Sequence, residues 1–199
     1  MRTDYISTDS VSALLWALTP ADKLICELCL ATGWRISDIV SLTSEELSKA
    51  LKMKKPRLHI VEEKTGKRST KTVSRDLLER MQQQSGRIYV FEGRDDYRKH
   101  RTRQAVYLDI KRVAKRFGIK CNLSPHSLRK NYAVWCFDNF GLEKTQKELN
   151  HDNVECTLFY VLSREMQSRH GIKNKKSRTW KSPAFLLQCQ CDSLTTLWT

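Results

Sequence analysis

The stretch Leu123-Ser124-Pro125-His126-Ser127-Leu128-Arg129 decides the fold, together with its close on Leu149-Asn150-His151 and Tyr160 nine positions later. A helix that begins near Ser124-Pro125 sets His126 and Arg129, three positions apart, on one face. Two histidines, an arginine and a tyrosine at these distances can meet around one phosphate. None of them speaks alone. A lone histidine is most often a hydrogen-bonded core or surface residue, and a lone arginine is usually solvated.

Working outward, Leu128, Tyr132, Trp135 and Cys136 form the packing stripe of that helix, and Gly141 ends it. Leu142 to Leu149 read as a short helix. His151 then lies in a loop before a helix capped by Asp152 or Asn153, which delivers Thr157, Phe159 and Tyr160. Upstream, Thr19-Pro20 starts a helix that is apolar on nearly every side from Leu24 to Ala31, with Pro20 at its tolerated first position. It is preceded by a helix carrying Val11, Leu14, Leu15 and Leu18, capped by Ser7 or Thr8. Gly33 breaks the central helix, and Arg35 follows at the junction into a short helix carrying Ile36, Ile39, Val40 and Leu42. A charge there is held on a rigid element, which suits a phosphate clamp, although pairing with Asp38 is an equally natural use for it.

Leu58, Ile60 and Thr70, Val73 bracket Lys64-Thr65-Gly66-Lys67, which reads as a hairpin with a glycine-bearing turn. Between Ser41 and Pro56 the chain is polar and lysine-rich, a short helix or loop. Ser74 caps the next helix, with Leu77, Leu78 and Met81 inward, and Ile88-Tyr89-Val90-Phe91 reads as a short strand. Thr102 caps a long helix through Phe117 whose inner stripe is Val106, Ile110 and Val113.

These motifs, in this order, resemble the catalytic half of a tyrosine recombinase of the phage-integrase family. HxxR is His126 to Arg129, Leu-x-His is Leu149 to His151, and Tyr160 follows. The first half of the signature is Thr32-Gly33-Trp34-Arg35-Ile36-Ser37-Asp38, and the family's hairpin lysine matches Lys64, with Lys67 as the second choice. The matches span most of residues 20 to 162. Two positions depart from the pattern: Trp34 replaces a more usual aliphatic residue, and Asn150 stands where the family usually has glycine. Asparagine is the side chain that best tolerates left-handed dihedrals after glycine, so the turn remains possible.

The resemblance implies a mixed α+β, mainly α-helical catalytic domain with a small antiparallel sheet at one edge. It implies a site-specific recombinase or integrase that cleaves and rejoins DNA through a 3′-phosphotyrosine, without metal or other cofactor. Tyr160 would be the nucleophile, Arg35 and Arg129 the grip on the non-bridging oxygens, and His151 a further donor. His126 would assist proton transfer or bind the phosphate, and Lys64 would be the general acid. Within enzymes, a type IB topoisomerase-like or hairpin-forming enzyme shares that nucleophile; outside them stands a non-catalytic DNA-binding regulator. The implied partners are double-stranded DNA, further copies of the chain (a dimer per site, a tetramer in synapsis) and accessory DNA-bending proteins.

Composition agrees with that direction. The 199 residues suffice for one domain with an appendage. Lys plus Arg number 36 against 22 Asp plus Glu, a formal charge of +14, which favours a polyanion and salt-sensitive association. Candidate backbone contacts are Lys67, Arg68, Arg98, Lys99, Arg101, Arg103, Lys111, Arg112, Lys115, Arg116 and Lys130. Each is equally at home as a solvated surface charge. No apolar run approaches the ~20 residues that span a bilayer, and the first residues lack a signal peptide's apolar segment. The expectation is an intracellular protein, in the cytoplasm or nucleoid, or in a host cell if a virus or mobile element encodes it.

Seven cysteines form no framework. Cys26 and Cys29, a C-x-x-C pair, lie in an apolar helical run and read as buried free thiols. The expected boundaries are a catalytic domain over 1–171, with its core at about 8–162, and a basic tail over 172–199 that packs in trans or is disordered. Only about 20 residues precede the matched motifs, so the family's separate N-terminal DNA-clamping domain is expected to be absent. The chain would then be an excised catalytic fragment or a short natural member.

Overall fold

Helix α2, Pro20–Thr32, is the axis of the molecule. Thr19 accepts from the Asp22 amide at its start, and Gly33 closes it in the left-handed region at φ 71°. Leu24, Ile25, Cys26, Leu28, Cys29 and Leu30 are all buried, as a helix apolar on nearly every side requires. Around it pack α1 (Thr8–Ala17), the short α3 (Ile36–Val40), α5 (Arg75–Gln83) and α7 (Pro125–Phe140). The structure is a computed structural model and describes residues 6–119 and 122–169. The sequence-based readings of the basic tail, its apolar patch Phe185 to Leu187 and Cys189 and Cys191 fall outside the described residues.

The only sheet among the described residues is a two-stranded antiparallel hairpin. Strand β1, Arg57–Val61, pairs with β2, Arg68–Thr72, in the register Arg57 to Thr72 through Val61 to Arg68. Leu58 and Ile60 point inward with the period of two expected of a half-buried strand. The fold is thus mainly helical with a small antiparallel sheet, as expected. Between α3 and the hairpin lies α4, Ser44–Leu51, started by a capping box of Thr43 and Glu46.

One expected element is absent. Ile88 to Phe91 form no strand; Tyr89 makes a single bridge to Thr43, and the Val90 amide donates to the Leu42 carbonyl at 2.9 Å. Their neighbour is the short junction between α3 and α4, too brief to template a ladder. Val90 and Phe91 are buried all the same.

Helix α6, Arg103–Arg116, is capped by Thr102 and buries Val106, Ile110 and Val113. After α7 come α8, Leu142–Glu148, and α9, Val154–Arg169. Both pack on α7, so the two ends of the motif-bearing stretch are brought together. Cys26, Cys29 and Cys136 are buried free thiols. Burial pushes the Cys29 thiol up to about 12, which leaves it inert as a nucleophile.

Candidate active site

Gly33 sets the first half of the site. Its positive φ turns the chain sharply out of α2, and the Tyr132 ring lies so close that a Cβ would stand 2.2 Å from Cδ1. The turn delivers Trp34 into the core and Arg35 to the start of α3. Trp34 is 1% exposed, and its indole nitrogen donates to Ser69 of β2 at 2.8 Å. A tryptophan at this position therefore binds the hairpin to the Arg35 turn, which a smaller aliphatic residue would not do.

Arg35 pairs chiefly with Glu62, Nη1 to Oε2 at 2.6 Å, and more distantly with Asp38 at 4.0 Å. The helix-start pairing with Asp38 is thus the minor contact. Burial raises the Asp38 carboxyl above its usual range, opposed by the Glu63 amide and Arg35.

Arg129 rises from the second turn of α7 and is 2% exposed. Its guanidinium donates to the Gly33 carbonyl, to the Leu149 carbonyl at 2.7 Å and toward His151 Nε2 at 3.3 Å. One side chain therefore ties its own segment to two others, the Gly33 turn and the Leu149 to His151 turn. Burial lowers its pKa, as does the nearby charge of Arg35. The two guanidiniums repel each other, Glu62 offsets part of that repulsion, and a further anion near both would relieve the rest.

Asn150 sits at φ 52°, the left-handed conformation the turn demands. Its side-chain amide donates to Glu62 Oε1 at 3.0 Å. His151 follows, with Nδ1 against Thr157 Oγ1 at 3.0 Å. An Arg donor at Nε2 makes that nitrogen the acceptor, so the proton sits on Nδ1 and the ring is neutral. Its pKa agrees: burial first, then Arg129 and Arg35, bring it down to about 4.

Tyr160 completes the cluster. Its ring meets the His151 ring edge-to-face with centroids 5.4 Å apart, and the buried Lys130 ammonium lies 5.8 Å from its centroid. Thr157 and Tyr160, three apart on α9, share the face that meets His151. His126 is exposed at the start of α7 and is held below the usual histidine range by partial desolvation, then by Arg129, Arg103, Arg35 and Lys130.

The hairpin lysines differ. Lys64 is exposed on the turn, while Lys67 is ion-paired to Asp152, next to His151. Lys67 thus links the hairpin to the loop before α9.

Among the surface candidates, Arg68, Arg98, Lys99, Arg103, Arg112, Lys115 and Arg116 are exposed. Arg98 lies over the Tyr97 ring, 5.6 Å from its centroid. Lys111 donates to Asn122, and Arg112 pairs with Asp109 at 2.6 Å. Arg101 is employed inside the fold: it grips the fully buried Asp22 through two hydrogen bonds of 2.5 and 2.6 Å and reaches Asp109 at 3.1 Å. That pairing joins the start of α2 to α6 and removes Arg101 from the exposed basic set.

Glu62 belongs to this cluster, and the sequence reading did not single it out. It is 2% exposed and accepts from Arg35, from Thr65 Oγ1 at 2.7 Å and from Asn150. Its signal was present as register. Leu58, Ile60 and Glu62 alternate inward, so the acid occupies a core position of the strand's continuation.

Residues 4–166 match the model of the phage integrase family. The chain belongs to the phage integrase family. Among curated integrase-family relatives, it is 28% identical over 161 residues to the integrase of Escherichia phage P2, covering 80% of this chain and 43% of that protein. It is 25% identical to a tyrosine recombinase of Thermosipho africanus, over 85% of this chain and 61% of the relative. It thus spans about half the length of the curated relatives it matches. Among solved structures, a lambda integrase dimer bound to a COC′ core site superposes with a TM-score of 0.69 at 16% identity, over 90% of this chain and 64% of that one. The catalytic domain of bacteriophage HP1 integrase gives 0.58 at 20%, over 90% of this chain and all of that domain. These superpositions establish the integrase catalytic-domain fold. No helix among the described residues is long and apolar enough to cross a membrane.

Proposed function

We propose that the chain is a catalytic domain, residues 1–171, that breaks and rejoins DNA strands at specific sites through a phosphotyrosine. The observation that carries this is the convergence of Arg129, His151 and Tyr160 from three separated motifs, with Arg35 entering the same positive field.

The Tyr160 oxygen attacks the phosphorus while the bond to the 5′ oxygen breaks, leaving a 3′-phosphotyrosine and a free 5′ hydroxyl. One ester replaces another, so the step reverses on a new strand without an energy source. Arg35 and Arg129 hold the non-bridging oxygens, since guanidinium forks match phosphate geometry. His151 donates to the same oxygens once its Nε2 carries a proton. His126 accepts the phenol proton or hydrogen-bonds the phosphate, and Lys64 gives its proton to the departing oxygen. Positive side chains thereby do the electrostatic work that a metal does in other phosphoryl-transfer sites, so turnover in chelator is expected.

The substrate is double-stranded DNA, bound inside the cell by two protomers per site and four in synapsis, with accessory proteins supplying bends. The relative caught as a dimer on its core site supports that assembly by analogy of fold.

The test is covalent capture on nicked, randomised duplexes in chelator. A denaturant-stable adduct with the intact protein, absent from Tyr160→Phe, is the expected outcome. A strict metal requirement, or an adduct that survives Tyr160→Phe, overturns the reading.

A further inference from the structure

Three segments meet at Glu62. The Arg35 turn contributes Nη1, the hairpin turn contributes Thr65 Oγ1 and the turn before His151 contributes the Asn150 amide. Each of those segments carries one proposed catalytic group: Arg35 itself, Lys64 beside Thr65, and His151 beside Asn150. We propose that Glu62 is a positioning residue whose carboxylate fixes these three groups relative to one another, and that Asn150 is the donor tying His151 to it. The proposal rests on the recombinase reading and adds a residue to it.

Burial and geometry argue for positioning over competition with DNA. A carboxylate that blocked the phosphate would have to lie in the open groove, and Glu62 is 2% exposed. Glu62 and the more distant Asp38 both approach Nη1 of Arg35. Nε and Nη2, one edge of the fork, make no hydrogen bond to the described residues and remain for a phosphate oxygen. Burial pushes the Glu62 carboxyl up, yet the donors from Thr65, Arg35 and Asn150 outweigh it and hold the group below the usual carboxylate range, so it stays ionised. Its charge also offsets the repulsion that Arg35 and Arg129 would otherwise exert on each other. A buried carboxylate whose two oxygens accept from three donors is rigid, and rigidity is what a preorganised site requires.

Asn150 gains a reason in the same arrangement. Glycine adopts its dihedrals at lower cost, but glycine has no side chain to reach Glu62. The asparagine accepts modest backbone strain and in return anchors the turn to the carboxylate.

The experiment compares Glu62→Gln, Asn150→Asp and the double variant in the full chain, using the adduct assay on nicked randomised duplexes. Glu62→Gln keeps the shape and removes the charge. It is expected to slow adduct formation about 10²-fold, a loss typical of a displaced transition-state donor, with DNA affinity within about twofold. Asn150→Asp sets two carboxylates against each other and should lose as much. The double variant exchanges donor and acceptor: the amide introduced at position 62 donates to the carboxylate introduced at position 150. At least about tenfold of the Asn150→Asp loss should then return. Losses that simply multiply, or a Glu62→Gln protein with unaltered rate, would falsify the positioning role. If the unmodified protein forms no adduct, the recombinase reading falls separately. Hydrogen exchange then decides the structural claim: faster exchange in Glu62→Gln at both the Gly66 and His151 amides supports it, and a change at Gly66 alone overturns it.

Discussion

Gly33 lies directly against the Tyr132 ring, so that a Cβ placed on the glycine would stand 2.2 Å from Tyr132 Cδ1. The same glycine holds φ at 71° and offers its carbonyl to Arg129. Backbone strain and overlap therefore combine at the point where α2 hands the chain to Arg35. Gly33→Ala should destabilise the protein by about 2–5 kcal/mol, read as a fall in thermal midpoint. A midpoint within experimental error of the parent would show that the ring and turn relax freely.

Arg129 is chosen for its fork. It reaches the Gly33 and Leu149 carbonyls and His151 together, and a lysine ammonium on a flexible stem cannot reproduce that span. Arg129→Lys should lower the adduct-forming rate on the order of 10²-fold or more, and Arg35→Ala similarly. An unchanged rate in either variant counts against that arginine's assignment.

Arg101 and its neighbours in the basic loop should separate cleanly. Removing Arg101 leaves Asp22 buried without its counter-ion, so Arg101→Ala should cost about 3–5 kcal/mol in denaturant unfolding. Arg98→Ala should leave stability within about 0.5 kcal/mol. If Arg98 contacts a phosphate, its loss lowers the salt dependence of DNA binding by about one ion. Equal stability losses in the two variants would refute the distinction.

The His151 ring gives a pH prediction with a definite sign. Its folded pKa is about 4, below the ordinary 6.5, so the unfolded chain binds more protons between those values. Stability should therefore be full above about pH 6.5 and fall as pH drops toward 4. His151→Gln should flatten that part of the profile, leaving the smaller contribution of His126. A phosphate anion raises the His151 pKa, so DNA should also bind more tightly as pH falls below neutral. An NMR titration of the His151 ring with and without DNA reads both effects.

Lys64 and Lys67 are distinguished by leaving-group chemistry. A 5′ thiolate departs without a proton, whereas an alkoxide needs one. Lys64→Ala should slow cleavage of ordinary DNA strongly and cleavage of a 5′-thio linkage little. Lys67→Ala breaks only a largely exposed pair with Asp152 and should change the rate by less than about tenfold. The reverse pattern would move the acid role to Lys67.

Much of this protein is legible in its sequence. The run from Leu24 to Ala31, apolar on nearly every side, has to be a central helix, because nearly every face of it needs covering, and Gly33 has to end it. His126 and Arg129 share a face by helical geometry alone, and the alternation of Leu58 and Ile60 marks a half-buried strand. Local rules of this kind depend only on neighbours in sequence. The partners of charges do not. Arg35 pairs with Glu62, which is 27 positions away, while nearby Asp38 is the weaker contact. Arg101 faces Asp22 across 79 positions, and Asn150 reaches Glu62 across 88. A buried ion pair forms where packing leaves two opposite charges no solvent, and packing is settled only when distant helices close on one another. Sequence therefore determined the helices, the hairpin and the motif residues. The tertiary structure decided which basic side chains are paired inside the fold, which stay exposed, and that a buried glutamate joins three turns.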